Sequence, residues 1–193
     1  MSKKVIARIS RWLHIYLSMI SFVIVLFFSA TGLTLNHADY FQSKSTTKEL
    51  NGNINAAWVN SKDTSKIDKL ATVEFFRNKY NVRGAVSDFR IEESEISLSF
   101  KAPGYQADAF IDRSNASFQL MITSQGFMGF VNDLHKGRDA GKTWLLLIDI
   151  AAILMVLISL TGLTLLLFIK KKRVAGIVLA VIGIIIMYWM YLV

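Results

Sequence analysis

The sequence contains no cysteine, a single proline (Pro103) and only three histidines among its 193 residues. The lack of cysteine excludes disulfides, catalytic thiols, thiolate ligation of haem and iron–sulfur clusters held by cysteine. It does not identify the compartment, because an exported domain can fold without disulfides. The candidate ligands for a metal are therefore the three imidazoles and the carboxylates.

Acidic residues are almost absent from two long apolar blocks, residues 12–35 and 144–193, and the second block is interrupted only by four basic residues at 170–173. Each uninterrupted run reaches about 20 residues, which as a helix rising about 1.5 Å per residue crosses about 30 Å of hydrocarbon. A helix is expected because an isolated strand would leave backbone groups unpaired in lipid. The sequence therefore predicts three transmembrane helices, near 12–36, 144–169 and 174–193.

The first apolar block follows four basic residues, as a secretory signal would. It is too long for the apolar part of a signal peptide, however, and it ends in Leu35-Asn36-His37 instead of a small-residue cleavage site. We therefore expect this block to stay in the membrane as a helix.

The net charge of +8 is concentrated at the ends of the predicted helices. Residues 37–142 carry 14 Lys and Arg against 13 Asp and Glu, so the excess lies in the four basic residues before the first helix and the four at 170–173. Basic clusters beside transmembrane helices mark the cytoplasmic side. The N-terminus and the 170–173 turn are predicted to be cytoplasmic, the segment 37–143 and the C-terminus to lie outside, and no nucleic-acid partner is indicated.

The segment between the first two predicted helices has the pattern of a small α+β domain. Apolar positions over 67–80 fit an amphipathic helix, and about four strands follow as alternating runs near 86–91, 96–100, 105–111 and 117–123. The polar stretch 38–68 is either a strand-and-turn lead-in or a mobile collar. The predicted organisation is a basic N-terminus (1–11), a first helix (12–36), an outer α+β domain (37–143), a second helix (144–169), a basic turn (170–173) and a third helix (174–193).

A short motif occurs in both of the first two predicted helices. Residues 29–35 read SATGLTL, and residues 159–165 read SLTGLTL. Small residues at this spacing let helices approach closely in lipid, so a packing motif is the simpler interpretation. The other interpretation is that the glycines leave room for a flat cofactor against the helices.

The three histidines, His14, His37 and His135, all fall at predicted membrane boundaries. His37 lies 23 residues after His14, about 34 Å along a helix, so the two are expected at opposite faces. His135 precedes the second helix and is expected on the same face as His37, where the two can approach each other. A pair of neutral imidazoles can hold haem iron in an electron-transferring b-type site. Interfacial histidines without a ligand, and zinc or copper binding, are the alternatives.

Charged residues near the outer face are candidates for supporting roles. Lys136, Arg138 and Lys142 are placed to pair with haem propionates. Asp149 is the only acidic residue inside a predicted helix; it either accepts a hydrogen bond from a ligand imidazole and fixes its orientation, or reaches the interface or a lysine. The outer carboxylates either hold a ferric ion near a haem edge or, in the simpler interpretation, form a solvated face; they include Asp39, Glu92, Glu93, Glu95 and Asp133.

Taken in order, several short motifs resemble the PepSY-associated transmembrane family, most closely its short, three-helix (VciB-like) members. They are WLH at 12–14, TGL at 31–33, LNH at 35–37, LHKG at 134–137, ID at 148–149 and TGL at 161–163. The 67–123 segment is similar to a PepSY-like module. The resemblance covers most of the chain apart from residues 41–65 and the last helix, and it implies a bacterial inner-membrane protein with a periplasmic domain.

The resemblance further implies a haem-bearing oxidoreductase, a ferric or ferric-siderophore reductase that supports uptake of ferrous iron. It places the haem b axial ligands at His14, His37 and His135, with membrane quinol or a cytoplasmic reductant as electron donor and ferric iron or a ferric chelate as acceptor. Larger relatives have more helices and more histidines. A second ligand for a haem at His14 would therefore come from a homodimer in which His14 of each protomer meets across a two-fold axis.

Two other functions remain open from the sequence. The protein is either such a reductase, a non-catalytic accessory protein whose outer domain binds a peptide or partner through a sheet edge, or a zinc- or copper-binding component of a transport system. Haem absorbance in the purified protein distinguishes the first function from the other two, and metal analysis distinguishes the third.

Overall fold

A computed structural model describes residues 3–41, 45–61 and 63–193. Its helices are α1 (Lys3–Asn36), α2 (Ala56–Val59), α3 (Lys69–Tyr80), α4 (Gly126–Lys136), α5 (Gly141–Phe168) and α6 (Arg173–Leu192), and its strands are β1 (Thr46–Asn53), β2 (Ala85–Ile91), β3 (Glu95–Ala102), β4 (Tyr105–Asp112) and β5 (Ser117–Ser124). The described residues form two compact units. The sheet unit is Phe28–Leu145, and the helical unit contains the residues before it and Leu146–Val193.

Three of the helices are long and apolar enough to cross a membrane, namely α1, α5 and α6. They correspond to the three predicted spans, and the predicted class, a helical membrane protein with an α+β domain between its first and second long helices, is confirmed. No acidic residue lies in the first turn of any of the three, and each runs without a proline.

Small side chains are the buried ones in the helical unit: Ser10, Ser21 and Ala151 are each at most 8% exposed. The Ser21 hydroxyl donates back to the Leu17 carbonyl at 2.8 Å, so its burial leaves no polar group unpaired. Lipid tails are as apolar as leucine, so helices associate in a membrane where small residues let their backbones approach. Gly176 of α6 shows such an approach, since a Cβ there would lie 2.3 Å from the Leu166 side chain of α5.

The sheet unit contains a five-stranded antiparallel sheet in the order β1-β5-β4-β3-β2. One face of its three central strands is fully covered by α3 and the segments beside it, and alternate residues there are buried. These are Ile96, Leu98 and Phe100 on β3, Ala107, Ala109 and Ile111 on β4, and Phe118 and Leu120 on β5. Phe76 of α3 is completely buried against this face, with its ring 5.0 Å from that of Phe118.

The helix predicted at 67–80 is present as α3, which begins two residues later than expected. Asp68 caps it, because its side chain accepts a hydrogen bond from the Ala71 amide at 2.9 Å. The helix ends at Asn81, whose φ of 52° places it in the left-handed region that suits asparagine.

The sheet has one strand more than the four that the sequence predicts. The fifth, β1, lies in the polar stretch 38–68, which is therefore a lead-in with regular structure over Thr46–Asn53. It pairs along its full length with β5, with Leu50 opposite Leu120. Residues 42–44 and 62 of that stretch lie outside the described residues.

Helix α4 was not predicted, and it is the element that carries His135. It packs on the turn between β3 and β4, where Gly104 has a φ of +64° and a Cβ would lie 2.6 Å from the Phe130 amide nitrogen. Asp133, which is 4% exposed, accepts a hydrogen bond from the Gly104 amide at 2.8 Å. The interpretation of Asp133 as part of a solvated face is wrong, because this buried carboxylate joins α4 to the sheet.

Candidate histidine sites

His14 packs against the second copy of the repeated motif, within the helical unit. Its Nδ1 lies 3.1 Å from the carbonyl oxygen of Ile158 and 3.2 Å from Thr161 Oγ1, both on α5. The next residue, Gly162, faces the ring directly, since a Cβ there would lie 3.0 Å from His14 Cε1. We call His14, Thr161 and Gly162 together the His14 site.

The contacts of His14 define which ring nitrogen carries the proton. A carbonyl oxygen can only accept a hydrogen bond, so Nδ1 is the protonated nitrogen. Thr161 Oγ1 donates its own hydrogen to the Ile158 carbonyl at 2.9 Å, and its lone pairs are then available to Nδ1–H. The lone pair of Nε2 is therefore left for a ligand.

His135 packs in the same manner against the first copy of the motif, within the sheet unit. Its Nδ1 lies 2.6 Å from Thr31 Oγ1, and a Cβ at Gly32 would lie 3.4 Å from His135 Cε1. The ring of Phe28, one turn before Thr31, meets the imidazole edge-on at a centroid distance of 5.2 Å. We call His135, Thr31 and Gly32 together the His135 site.

Thr31 is buried, with 6% of its surface exposed, and its hydroxyl also lies 3.3 Å from the Phe28 carbonyl. A threonine hydroxyl that donates to the carbonyl three residues earlier presents its lone pairs outward. With the Thr31 hydroxyl hydrogen on the Phe28 carbonyl, Nδ1–H of His135 is the donor in the 2.6 Å contact and Nε2 keeps its lone pair; with that hydrogen on Nδ1, the roles are reversed. In both copies of the repeat the threonine hydroxyl contacts Nδ1 and the following glycine lies beside the ring.

The C-terminal end of α4, which carries His135, is held by two neighbours. Trp144, near the beginning of α5, donates its indole hydrogen to the Leu134 carbonyl at 2.8 Å. Gly137 ends the helix with a φ of +68°, and its amide donates to the same carbonyl at 3.1 Å. His135 is thus fixed on both its backbone and its ring.

His37 differs from the other two histidines because its side chain is exposed. Its ring contacts that of Tyr40 at 6.1 Å. His37 directly follows Asn36, the last residue of α1, whereas Thr31, which receives His135, lies within that helix. No hydrogen bond or ring contact joins the imidazoles of His37 and His135 in the described part of the chain.

The predicted supporting residues differ in their surroundings. Asp149 is exposed on α5 and makes no hydrogen bond within the described residues of the helical unit, while Ile158 and Thr161 supply the acceptors for His14. Lys136 and Lys142 are exposed and free of ion pairs among the described residues. The assignment of Asp149 to imidazole orientation stays a prediction.

Arg138 binds Asp133 through two nitrogens, Nε at 2.9 Å and Nη2 at 2.6 Å from Oδ1. Its side chain is nevertheless 56% exposed, and Nη1 is not used in this contact. The main structural role of Arg138 is therefore to neutralise the buried carboxylate that joins α4 to the β3–β4 turn.

Within the described ranges, no group of three or more His, Asp or Glu side chains is close enough to hold a metal ion. Structural and catalytic zinc sites need three or four protein ligands, whereas an axial position on haem iron needs a single imidazole nitrogen. Two separate imidazoles, each contacted at Nδ1 by a neighbouring helix, are compatible with the second requirement.

Sequence reasoning missed Thr31 and Thr161 as members of the histidine sites. The repeat was a visible signal, but its partners lie 104 and 147 residues away along the chain, and no local pattern connects them.

The sequence profile of the PepSY_TM-like family matches residues 8–193, which is nearly the whole chain. No curated protein and no solved structure matches it.

Proposed function

The chain belongs to the PepSY_TM-like family, and from this we propose that it is a haem-b-containing membrane oxidoreductase that delivers electrons to ferric iron or a ferric chelate. The observation that carries the proposal is the pair of histidine sites. In each, Nδ1 is bound by a neighbouring helix and Nε2 is free, which is how a metal-ligating imidazole is usually held.

The chain's own residues supply binding and orientation. His14 and His135 would hold haem iron through Nε2, while Thr161 with the Ile158 carbonyl, and Thr31, fix the two rings. Bound haem b supplies a one-electron couple. A quinol or a cytoplasmic two-electron reductant is the proposed donor: each quinol oxidised releases two electrons and two protons, and two ferric ions are each reduced to the ferrous state.

A homodimer completes the ligand sets in this proposal. Each histidine site presents one imidazole, so a haem iron held by two imidazoles would take the second from elsewhere. A second copy of the chain would provide it, with His14 of each protomer meeting across a two-fold axis. His37, which is exposed and contacts Tyr40 alone among the described rings, is available as the partner ligand for His135.

The propionates of the haem near His135 would meet the basic side chains beside it. Lys136 and Lys142 are exposed and unpaired among the described residues, and Arg138 keeps Nη1 available while bound to Asp133. The proposed location is the inner membrane, with the N-terminus and the 170–173 turn in the cytoplasm and the sheet unit in the periplasm.

The test is the absorption spectrum of the purified full chain, oxidised and then reduced with dithionite. We expect a Soret band and the reduced α-band of a b-type haem in the parent. His14→Ala and His135→Ala are each expected to lower haem content per protomer, and Tyr40→Phe, which keeps the ring beside His37, serves as the matched control. The absence of a Soret band from the parent would refute the proposal. So would a haem content that is the same in both alanine variants as in the parent.

Activity is then measured in proteoliposomes that contain a quinol, with a ferric chelate outside and a chromogenic ferrous chelator as the reporter. Ferrous iron is expected to appear with the parent and to fall by about 10-fold or more in the two alanine variants, because losing a ligand costs at least as much as losing the ligand's hydrogen-bond partner. Haem binding without iron reduction would leave an electron carrier with another acceptor. Absence of haem together with tight zinc or copper binding would favour a transport component, and absence of both an accessory protein.

A further inference from the structure

The repeated motif accounts for both histidine sites, and it raises the question of what its threonines do. We infer that Thr31 is a positioning residue that fixes the proton of His135 on Nδ1, and that Thr161 shares this role at His14 with the Ile158 carbonyl, so that Nε2 is presented as the ligand nitrogen at both sites. The inference deepens the proposed function and rests on it only for the identity of what Nε2 binds.

A free neutral imidazole carries its proton mainly on Nε2, which is the wrong nitrogen for this task. A half-buried ring therefore needs an acceptor at Nδ1 to reverse the preference. The donated hydrogen bond also makes Nε2 more electron-rich and a stronger ligand. This is a role that packing alone does not require, because valine fills the same space as threonine without supplying an acceptor.

The two sites differ in a way that makes the inference testable. At His135, the Thr31 hydroxyl at 2.6 Å is the hydrogen-bond partner of the ring among the residues that the structure describes. At His14, the Ile158 carbonyl at 3.1 Å accepts from the same Nδ1 as Thr161 does at 3.2 Å. Removing the hydroxyl therefore leaves His135 with no acceptor, whereas His14 keeps one.

The first experiment measures ring protonation by ¹⁵N NMR in the full chain, prepared haem-free from haem-limited cells and placed in lipid bilayers. With only three histidines in the sequence, replacing each by glutamine assigns the signals. We expect the Nδ1–H form for His14 and His135. For the exposed His37 we expect the mixture of Nδ1–H and Nε2–H forms that a free imidazole shows.

Thr31→Val should return His135 to the mixture seen for His37, and Thr31→Ser should restore the Nδ1–H form. Thr161→Val should leave His14 in the Nδ1–H form because the Ile158 carbonyl remains. The inference is overturned if Thr31→Val leaves the form of His135 unchanged, or if serine fails to restore it while the chain stays folded by circular dichroism.

The second experiment measures haem affinity and midpoint potential in the same variants. Thr31→Val is expected to weaken haem binding at His135 about 10-fold. If the affinity for ferric haem falls about 10-fold while the affinity for ferrous haem is unchanged, the midpoint potential rises by about 59 mV. Thr161→Val should change both quantities less.

The two experiments separate the inference from the proposed function. Ring protonation that responds as expected in a chain that binds no haem would refute the function and support the inference. If the parent binds haem but His135 carries its proton on Nε2 in the haem-free chain, the function is supported and the inference is refuted.

Discussion

Two glycines in equivalent places of the repeat leave different amounts of room for a histidine ring. A Cβ on Gly162 would lie 3.0 Å from His14 Cε1, closer than carbon atoms normally approach, whereas a Cβ on Gly32 would lie 3.4 Å from His135 Cε1, an ordinary contact. The same substitution is therefore expected to have unequal effects at the two sites.

Gly162→Ala is predicted to displace the His14 ring by a few tenths of an ångström and to lengthen both Nδ1 hydrogen bonds. We expect haem content at the His14 site to fall several-fold, as read from the absorption spectrum. Gly32→Ala, the matched control, should leave the His135 site unchanged. Equal effects at the two positions would show that the close approach at Gly162 is not what places the ring.

The buried carboxylate of Asp133 is a second residue whose substitution has a defined effect. It accepts from the Gly104 amide at 2.8 Å and from Arg138, so Asp133→Asn removes charge-assisted hydrogen bonds worth about 1.5–3 kcal/mol. We expect a lower unfolding midpoint and faster hydrogen exchange at the Gly104 amide. Asp88→Asn, which breaks a pair that is exposed on both sides, should change neither measurably.

Among the elements, the ones with regular apolar alternation could be predicted from the sequence, and those built by pairing could not. Strand β3 buries Ile96, Leu98 and Phe100 at every second position and was found. Strand β1 has the sequence TTKELNGN, with Leu50 as its single apolar residue, and is a strand because β5 supplies its hydrogen bonds. Helix α4 was missed although Phe127, Phe130 and Leu134 follow a helical period, because three glycines lie in or beside it.

The candidate site could be predicted only in part, for the same reason. The three histidines and the repeat are evident in the sequence, and so is the suggestion that its glycines leave room for a flat group. That this group includes a histidine ring from a distant helix depends on tertiary packing, as does the exposure of His37. The haem ligation itself stays a prediction.

The turn between β4 and β5 gives the sheet unit a predicted pH dependence. Hydrogen bonds from the Ser114 hydroxyl and amide to Asp112 hold the pKa of that exposed carboxyl below its usual range. A group whose pKa is lower in the folded chain stabilises it above the unfolded pKa and loses that contribution as the pH falls.

We therefore expect the Ser114 amide to exchange faster as the pH is lowered through the acidic range of aspartate, after correction for intrinsic exchange. Ser114→Ala removes the largest cause of the shift and should raise the pKa of Asp112, measured by carbon NMR titration. An unchanged titration in this variant would contradict the assignment. The corresponding turn at Asp63, held by Ser65, is an internal comparison.

At the scale of the whole molecule, the lack of cysteine makes its orientation easy to measure. Each single-cysteine variant reports one position without background. Ser94→Cys, in the turn between β2 and β3, is predicted to react with a membrane-impermeant maleimide added to intact spheroplasts. Lys171→Cys, between α5 and α6, should react only after the membrane is opened, because basic clusters remain cytoplasmic. Reaction of both before opening would overturn the predicted topology.

The distances in sequence between each histidine and its threonine also constrain biogenesis. Thr31 is synthesised long before His135, and His14 long before Thr161. Each histidine–threonine contact can therefore form only after the later residue has been made. Neither ring can thus be oriented while the first helix is alone in the bilayer. A chain that ends before residue 158 would lack both acceptors of His14, so the orientation of this ring depends on insertion of the second long helix.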